Sequence, residues 1–368
     1  MVENMDFKLI LSETCKWNIE KLRKGSFNLE CVSFEELLEE ICGGGVYGKV
    51  EQLEDVSYVD VSDVDWMSTL ADLAIAGVDS SITVVKSEFA YLMYGRGGFL
   101  IDSQRISHIG RLSDAGIVSR RVLQYALDRE LIGSGENVFY PRFGEAIDLQ
   151  VMMRTLDTML EIDVLEHVIE KYGDSIDFIF LDGDWLAFRG VHISPRFENR
   201  IKGIVSEACK LGVIIWCIVK DPISRIILPT GSLFSSDAIL FERFLPEKAR
   251  SPLYFERNSK SDFSRVFFYI KLPDYRVLRV EMPFQMWRDL GEERKSWAIE
   301  VSIAQIAKNC WRVPYVIDQV NNFVKIRRME KIGWIIGVKW FFSRKGVKFK
   351  LTHRAQEEIL SVEAMGRK

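Results

Sequence analysis

Apolar and polar positions alternate along the 368-residue chain with a period that changes by region, and the changes mark out its elements. Residues 34–41 place apolar side chains at helical spacing behind Ser33 as N-cap, and Gly43-Gly44-Gly45 stops that helix. The alternation VSYVDVSDVDW over residues 56–66 predicts a solvated acidic edge strand or loop. From Ala71 onward, strands with helices between them take over. Residues 71–78 predict a buried strand ending at Asp79, residues 84–94 a second strand, Gly95-Arg96-Gly97-Gly98 a hairpin turn, and residues 99–102 a third strand of an antiparallel meander. Two helices are expected next, over 119–131 and 146–172, the longer one closed by Gly173 as a C-cap. Along it Met153, Leu156, Leu160, Val164, Leu165 and Val168 form an apolar stripe. Asp157 and Glu161, four apart, project beside that stripe.

The stretch 176–185, IDFIFLDGDW, is an apolar strand that breaks into Asp182-Gly183-Asp184. A carboxylate at the tip of a buried strand, followed by a glycine that lets backbone approach, is a common holder of a divalent cation. Asp79-Ser80-Ser81 after its own apolar run has the same design. A helix over 196–211 and a strand over 212–219 ending in Lys220-Asp221-Pro222 complete a βαβ unit. Its two strands are parallel, so Asp182 and Lys220 share the sheet edge where ligand sites of α/β proteins lie. Residues 222–262 predict a loop-rich insertion. A hairpin follows over 266–272 and 276–283, with Arg279 and Glu281 on one face and Leu278, Val280 and Met282 on the other. Helices over 297–308 and from Val313-Pro314-Tyr315, carrying Asp318, come after it.

Composition narrows the class. At 48% hydrophobic and 28% charged residues the chain is globular, and the absence of a long uncharged apolar run argues against a transmembrane helix. The acidic N-terminus lacks the form of a secretory signal, which points to the cytoplasm. Six scattered cysteines and four scattered histidines offer neither a disulfide framework nor a zinc site. The net charge of -4 gives no general attraction to nucleic acid, but ten Lys or Arg against one acid lie between Lys325 and Arg354, mixed with Trp334, Trp340, Phe341, Phe342 and Phe349. Such a segment can contact phosphates and stack on bases; as a purely structural piece it reads as strand-rich, with its aromatics in the core.

In this order, GVDSS, the long helix with LD and LE, FLDGD, IVKDP, the YIKL and RVLRVEMP hairpin, and VPYVIDQVNNFVKI resemble the NurA family of DNA-end nucleases over roughly residues 71–329. The resemblance implies an α/β fold with an RNase H-like mixed sheet flanked by helices, here with a helical, acidic N-terminal extension (1–70), the nuclease domain with its loop-rich insertion (71–330), and a basic, aromatic C-terminal segment packed on the core (331–368). It implies a homodimer that cleaves DNA, as a single-strand endonuclease and a DNA-end exonuclease, with two Mn²⁺ or Mg²⁺ ions. It also implies a HerA-type hexameric translocase as partner in end resection. Carried over by position, Asp79, Asp182 and Lys220 are catalytic; Asp79, Asp182, Asp318 and either Asp157 or Glu161 hold metal. Arg279, Lys339, Arg344, Lys345 and Lys348 contact DNA. Ser80 replaces the family's glycine and Asp184 adds a carboxylate, so the alternative is a weakened enzyme that serves as a DNA-binding or docking partner of the translocase.

Overall fold

The computed structural model describes residues 50–86, 91–103, 108–118, 149–185, 195–228, 235–257, 263–344 and 350, all within the unit Gly48–Lys368. The expected helices at 34–41 and 119–131, the triple glycine, and the basic residues Lys345 and Lys348 lie outside them.

In chain order the described elements are β1 (Val50–Gln52), β2 (Val59–Asp60), α1 (Trp66–Thr69), β3 (Ile75–Lys86), β4 (Tyr91–Asp102) and β5 (His108–Val118). Then come α2 (Leu149–Tyr172), β6 (Phe178–Asp182), α3 (Pro195–Leu211), β7 (Ile214–Val219) and α4 (Asp237–Phe244). The remainder is β8 (Ala249–Arg250), β9 (Tyr254–Glu256), β10 (Arg265–Lys271), β11 (Val277–Pro283), α5 (Phe284–Asp289), α6 (Glu292–Lys308), α7 (Tyr315–Val324) and α8 (Arg328–Arg344).

The strands form one mixed sheet in the order β1-β9-β10-β11-β7-β6-β3-β4-β5. One end of it, β5-β4-β3-β6-β7, is an antiparallel meander whose first strand then pairs in parallel with β6, and β6 with β7. This is the RNase H-like order. β6 and β7 are apolar without alternation because helices cover both of their faces. Backbone registers sort those faces. Ser80, Gly95 and Gly97 look toward α2, whereas Gly77, Asp79, Arg96 and Gly98 look toward α7. Trp216, whose indole N–H donates to the Ala298 carbonyl of α6, belongs to the α7 side as well.

Several expectations change. β3 does not stop at Asp79 but runs on to Lys86, because β4 stays paired with it over the full register from Ile75↔Asp102 to Lys86↔Tyr91. What ends near Asp79 is the parallel partner, whose last pairing is Val78↔Leu181. Gly95-Arg96-Gly97-Gly98 is not a turn; it lies inside β4. A Cβ on Gly95 or Gly97 would meet Leu160 or Val164 of α2 at 2.4 and 2.7 Å, so these glycines let the helix press onto the sheet. Gly173 does not cap α2 in a left-handed conformation; it opens a short 3₁₀ turn, and a Cβ there would meet Leu211 Cδ1 at 2.5 Å. Residues 328–344 are helical rather than strand-rich. The stretch 222–262 also carries α4, β8 and β9, the two strands joining β10. Among the described residues, no helix is long and apolar enough to cross a membrane.

The closeness of α7 to β3 makes a prediction. A Cβ on Gly77 would sit 2.5 Å from the Val316 carbonyl oxygen, a backbone atom that cannot swing away. Gly77→Ala is expected to lower unfolding free energy by about 1–3 kcal/mol in urea titration. Gly203→Ala in α3, where nothing lies within 4 Å, is expected to raise it by ~0.5–1 kcal/mol through helix propensity.

Candidate active site

β6 delivers Asp182 to the C-terminal edge of the parallel strands, where Gly183, at φ +107°, turns the chain away. Registers place Asp182 beside Asp79 on one side and beside Ile218 on the other, all on the α7 face. Lys220 lies two residues past Ile218, on the same face, and its Nζ donates to Asp182 Oδ2 at 2.6 Å. The βαβ argument therefore placed this pair correctly.

Asp79 is 3% exposed. Its Oδ1 accepts from the Ser80 amide at 2.7 Å, while its Oδ2 is buried without any hydrogen-bond partner. Burial, then the neighbouring Asp182 charge, push this carboxyl up to about 8, against the pull of Lys220. A buried carboxylate oxygen without a donor is costly, and either a proton or a cation relieves it.

The two α2 acids reach the same edge from the opposite face. The Ser80 hydroxyl stands 2.5 Å from Asp157 Oδ1 and 3.2 Å from Glu161 Oε1, so its one proton serves one acid at a time. Burial raises the Asp157 carboxyl, with Ser80 opposing. Burial, followed by the charges of Asp157, Asp79 and Asp182, holds Glu161 well above the usual carboxylate range. Gly183 stands beside this pair, and its φ of +107°, not crowding, is what favours glycine there. Ser80, singled out in the sequence as a lost glycine, sits in ordinary strand backbone and ties β3 to α2 through its side chain.

The carboxylates thus interact, but they stand as two groups: Asp79 with Asp182 and Lys220, and Asp157 with Glu161 and Ser80. Among the described residues no three Asp, Glu, His or Cys side chains are drawn together tightly enough to hold a metal ion. Asp318 lies in the first turn of α7, the helix that crosses Gly77, and among the described residues no hydrogen-bond donor reaches its carboxylate. Both Asp157 and Glu161 adjoin the site.

Arg279 is corrected outright. It is 1% exposed, with Nη2 donating to Asp184 Oδ2 at 2.9 Å, Nη1 to the Ser224 hydroxyl and Nε to Glu281, so it has no surface to offer DNA. Asp184 likewise is no spare metal ligand, because Arg265 Nη1 also donates to it at 2.6 Å. Glu281 accepts from Arg265 at 2.7 Å and from the Trp185 amide at 3.0 Å. The alternation of β11 showed Arg279 and Glu281 sharing a face; only the covering strands and helices show that this face is buried. Lys339 and Arg344 are exposed on α8, with the Arg344 guanidinium 4.2 Å from the Trp340 ring centre.

No local pattern marks Asp237, which is fully buried and anchors the loop after Lys220 by accepting from the amides of Ile226 at 2.6 Å and Leu228 at 3.0 Å.

A strand order of the RNase H kind, with Asp79 and Asp182 from two strands and Asp157 and Glu161 from one helix at one edge, defines the class of fold, an RNase H-like α/β protein. Among solved structures, the crystal structure of the NurA nuclease from Sulfolobus solfataricus matches with a TM-score of 0.50 at 15% identity, covering 94% of this chain and 98% of that one. The shared fold is therefore that of NurA. Another NurA structure matches at TM-score 0.45 and 10% identity, covering 88% of this chain and 97% of that one, and a NurA bound to dAMP and manganese at 0.39 and 9%, covering 88% and 94%. These two likenesses are too loose to carry an argument. No protein-family model and no curated protein matches the chain.

Proposed function

We propose that this chain is a metal-dependent DNA nuclease of the NurA kind. The observation that carries the reading is the buried, donorless Oδ2 of Asp79 beside Asp182, at the active edge of an RNase H-like sheet. An all-oxygen donor set with an unsatisfied buried oxygen suits Mn²⁺ or Mg²⁺. Asp79 and Asp182 would hold the ion, with Asp157, Glu161 and Asp318 available to complete one or two sites. Bound there, such ions would supply an activated water and neutralise charge on the phosphodiester. Lys220, beside Asp182, adds a positive charge where negative charge develops on the scissile phosphate. The exposed cations Lys339 and Arg344, and Lys345 and Lys348 beyond the described residues, are proposed as contacts to the DNA backbone. Action on single strands and DNA ends as a cytoplasmic homodimer, with a HerA-type translocase in end resection, belongs to the same proposal and rests on the family resemblance. So does the three-part division at residues 70 and 330.

The separation of the carboxylates into two groups favours a second reading, a DNA-binding partner of the translocase with weak or no cleavage. Labelled single- and double-stranded DNA with Mn²⁺ decides between them. The wild type is expected to cut, and Asp182→Ala to lose on the order of 10³-fold in rate, about 4 kcal/mol of barrier. Cleavage that survives in Asp182→Ala overturns the site; binding without cleavage under any divalent metal leaves the second reading standing.

A further inference from the structure

A cleft of about 350 Å³ opens at the elbow between α7 and α8, lined by Arg96, Asn322, Phe323, Lys325, Arg327 and Glu330 among others. It lies on the same face of the sheet as Asp79. Asp79 pairs with Gly98 and Ser81 with Arg96, so Arg96 is one strand over and two residues along, about 8 Å from Asp79 between Cα atoms. The C-terminal end of α7 covers Gly98, whose missing Cβ would stand 2.7 Å from Val324 and 3.4 Å from Phe323. Helix α7 thus spans from Val316, against Gly77, to Val324, against Gly98, and delivers Lys325 to the cleft, while the Asn322 amide donates to the Asp318 carbonyl at 2.9 Å.

The floor of the cleft already holds an oxyanion. Arg96 is 5% exposed, and its guanidinium donates through Nη1 and Nη2 to the two oxygens of Glu330, at 3.3 and 3.1 Å, and to the Tyr94 hydroxyl at 3.3 Å. The same carboxylate accepts from the Arg327 amide at 2.9 Å, just before α8 begins. Arg96 Nε remains buried with no partner. Above this floor Lys325 and Arg327 are exposed and make no ion pair among the described residues. Three cations against one acid leave the cleft net positive, with the Phe323 ring beside it.

We infer that this cleft is a phosphate subsite for a nucleic-acid strand, taking the backbone phosphate next to the scissile one. Lys325 and Arg327 supply the direct contacts, and the Arg96–Glu330 pair fixes the α7–α8 elbow that presents them. The inference rests on the nuclease reading, since it takes its ligand from that substrate. The Arg96 backbone that anchors the elbow lies ~8 Å from that of Asp79, and a strand whose scissile phosphate sits at the carboxylate edge carries further phosphates past it. Glu330 limits affinity by repelling the incoming phosphate, which keeps the subsite from trapping cleaved product.

The test measures binding, not cleavage. Fluorescence anisotropy with a labelled single-stranded oligonucleotide in Ca²⁺, across a salt series, compares wild type, the double variant Lys325→Ala/Arg327→Ala, and Glu330→Gln. The double variant is expected to bind on the order of 10-fold more weakly, with the salt slope reduced by about 1.4, two single-strand contacts at ~0.7 each. Glu330→Gln, which removes the charge and keeps one acceptor oxygen for the Arg96 fork and the Arg327 amide, is expected to bind a few-fold more tightly. Replacing single linkages by neutral methylphosphonates should weaken wild-type binding at a linkage flanking the scissile one, with no further loss in the double variant. Equal binding by wild type and double variant, with the oligonucleotide bound well by both, overturns the subsite and leaves the nuclease reading intact. Failure of wild type to bind any oligonucleotide overturns both.

Discussion

Asp79→Asn is expected to abolish cleavage and, at pH 8 without divalent metal, to make the protein more stable. The two effects have one cause. In the folded protein burial and the Asp182 charge push the Asp79 carboxyl up to about 8, whereas in the unfolded chain it titrates near 3.8. As pH rises from about 4 to about 8, the unfolded state gives up this proton first. The folded state then binds more protons than the unfolded one, and stability falls across that window before levelling off above it. Asparagine cannot ionise, so the variant escapes the loss. It should gain on the order of 5 kcal/mol at pH 8, or about 5 °C or more in thermal midpoint, and close to nothing at pH 4. Saturating Mn²⁺ should close most of that gap, since a ligand at 1,000 times its Kd stabilises by about 4.1 kcal/mol and the variant lacks the oxygen that draws it. Thermal melts at the two pH values, with and without Mn²⁺, check all four conditions. Equal midpoints for wild type and variant at pH 8 without metal would show that Asp79 is not strained by its surroundings.

The second large effect concerns Arg279. Its guanidinium joins β11 to both loops that frame the site: Nη2 holds Asp184, two residues beyond Asp182, and Nη1 holds Ser224, four residues beyond Lys220. Nε holds Glu281, which also accepts the Trp185 amide. Burial alone would lower the Arg279 pKa, but the surrounding carboxylates, Glu281 first, keep it above its ordinary value, so the charge is permanent. Arg279→Met leaves buried carboxylates short of a partner and is expected to cost about 3–5 kcal/mol in urea unfolding. Arg279→Lys keeps the charge but cannot make three bonds in a fixed fork, so it should recover only part of that. A loss below ~1 kcal/mol for the methionine variant would mean that Arg265, which contacts Asp184, Glu281 and Glu256, carries the cluster without it.

Much of this molecule was legible because its elements have local causes. The unbroken apolar runs of β6 and β7 with a helix between them required a parallel pair, and that pair put Lys220 on Asp182. Helices α2, α3, α6 and α7 fell within a few residues of their expected ranges, apart from an earlier start of α6, because period and flanking residues specify a helix without reference to the rest of the chain. Glycine is where the local argument failed. Gly95, Gly97 and Gly98 read as a turn, since nothing nearby in sequence says that two helices will press on opposite faces of that strand.

By itself the sequence determined the α/β class, the strands that carry Asp79 and Asp182, and the pairing of Asp182 with Lys220, all consequences of period and connection. Only the tertiary structure decided which polar groups are free to act. Asp79 and Arg279 both occupy alternating positions on strands, and both are buried; what separates them is the partners that long-range packing brings. Arg279 meets Glu281, Asp184 and Ser224 and is spent on the fold, whereas Asp79 Oδ2 meets no donor and stays available for a cation. Burial and partnership are properties of contacts between residues far apart in the chain, which is why neither can be read from a strand's own residues.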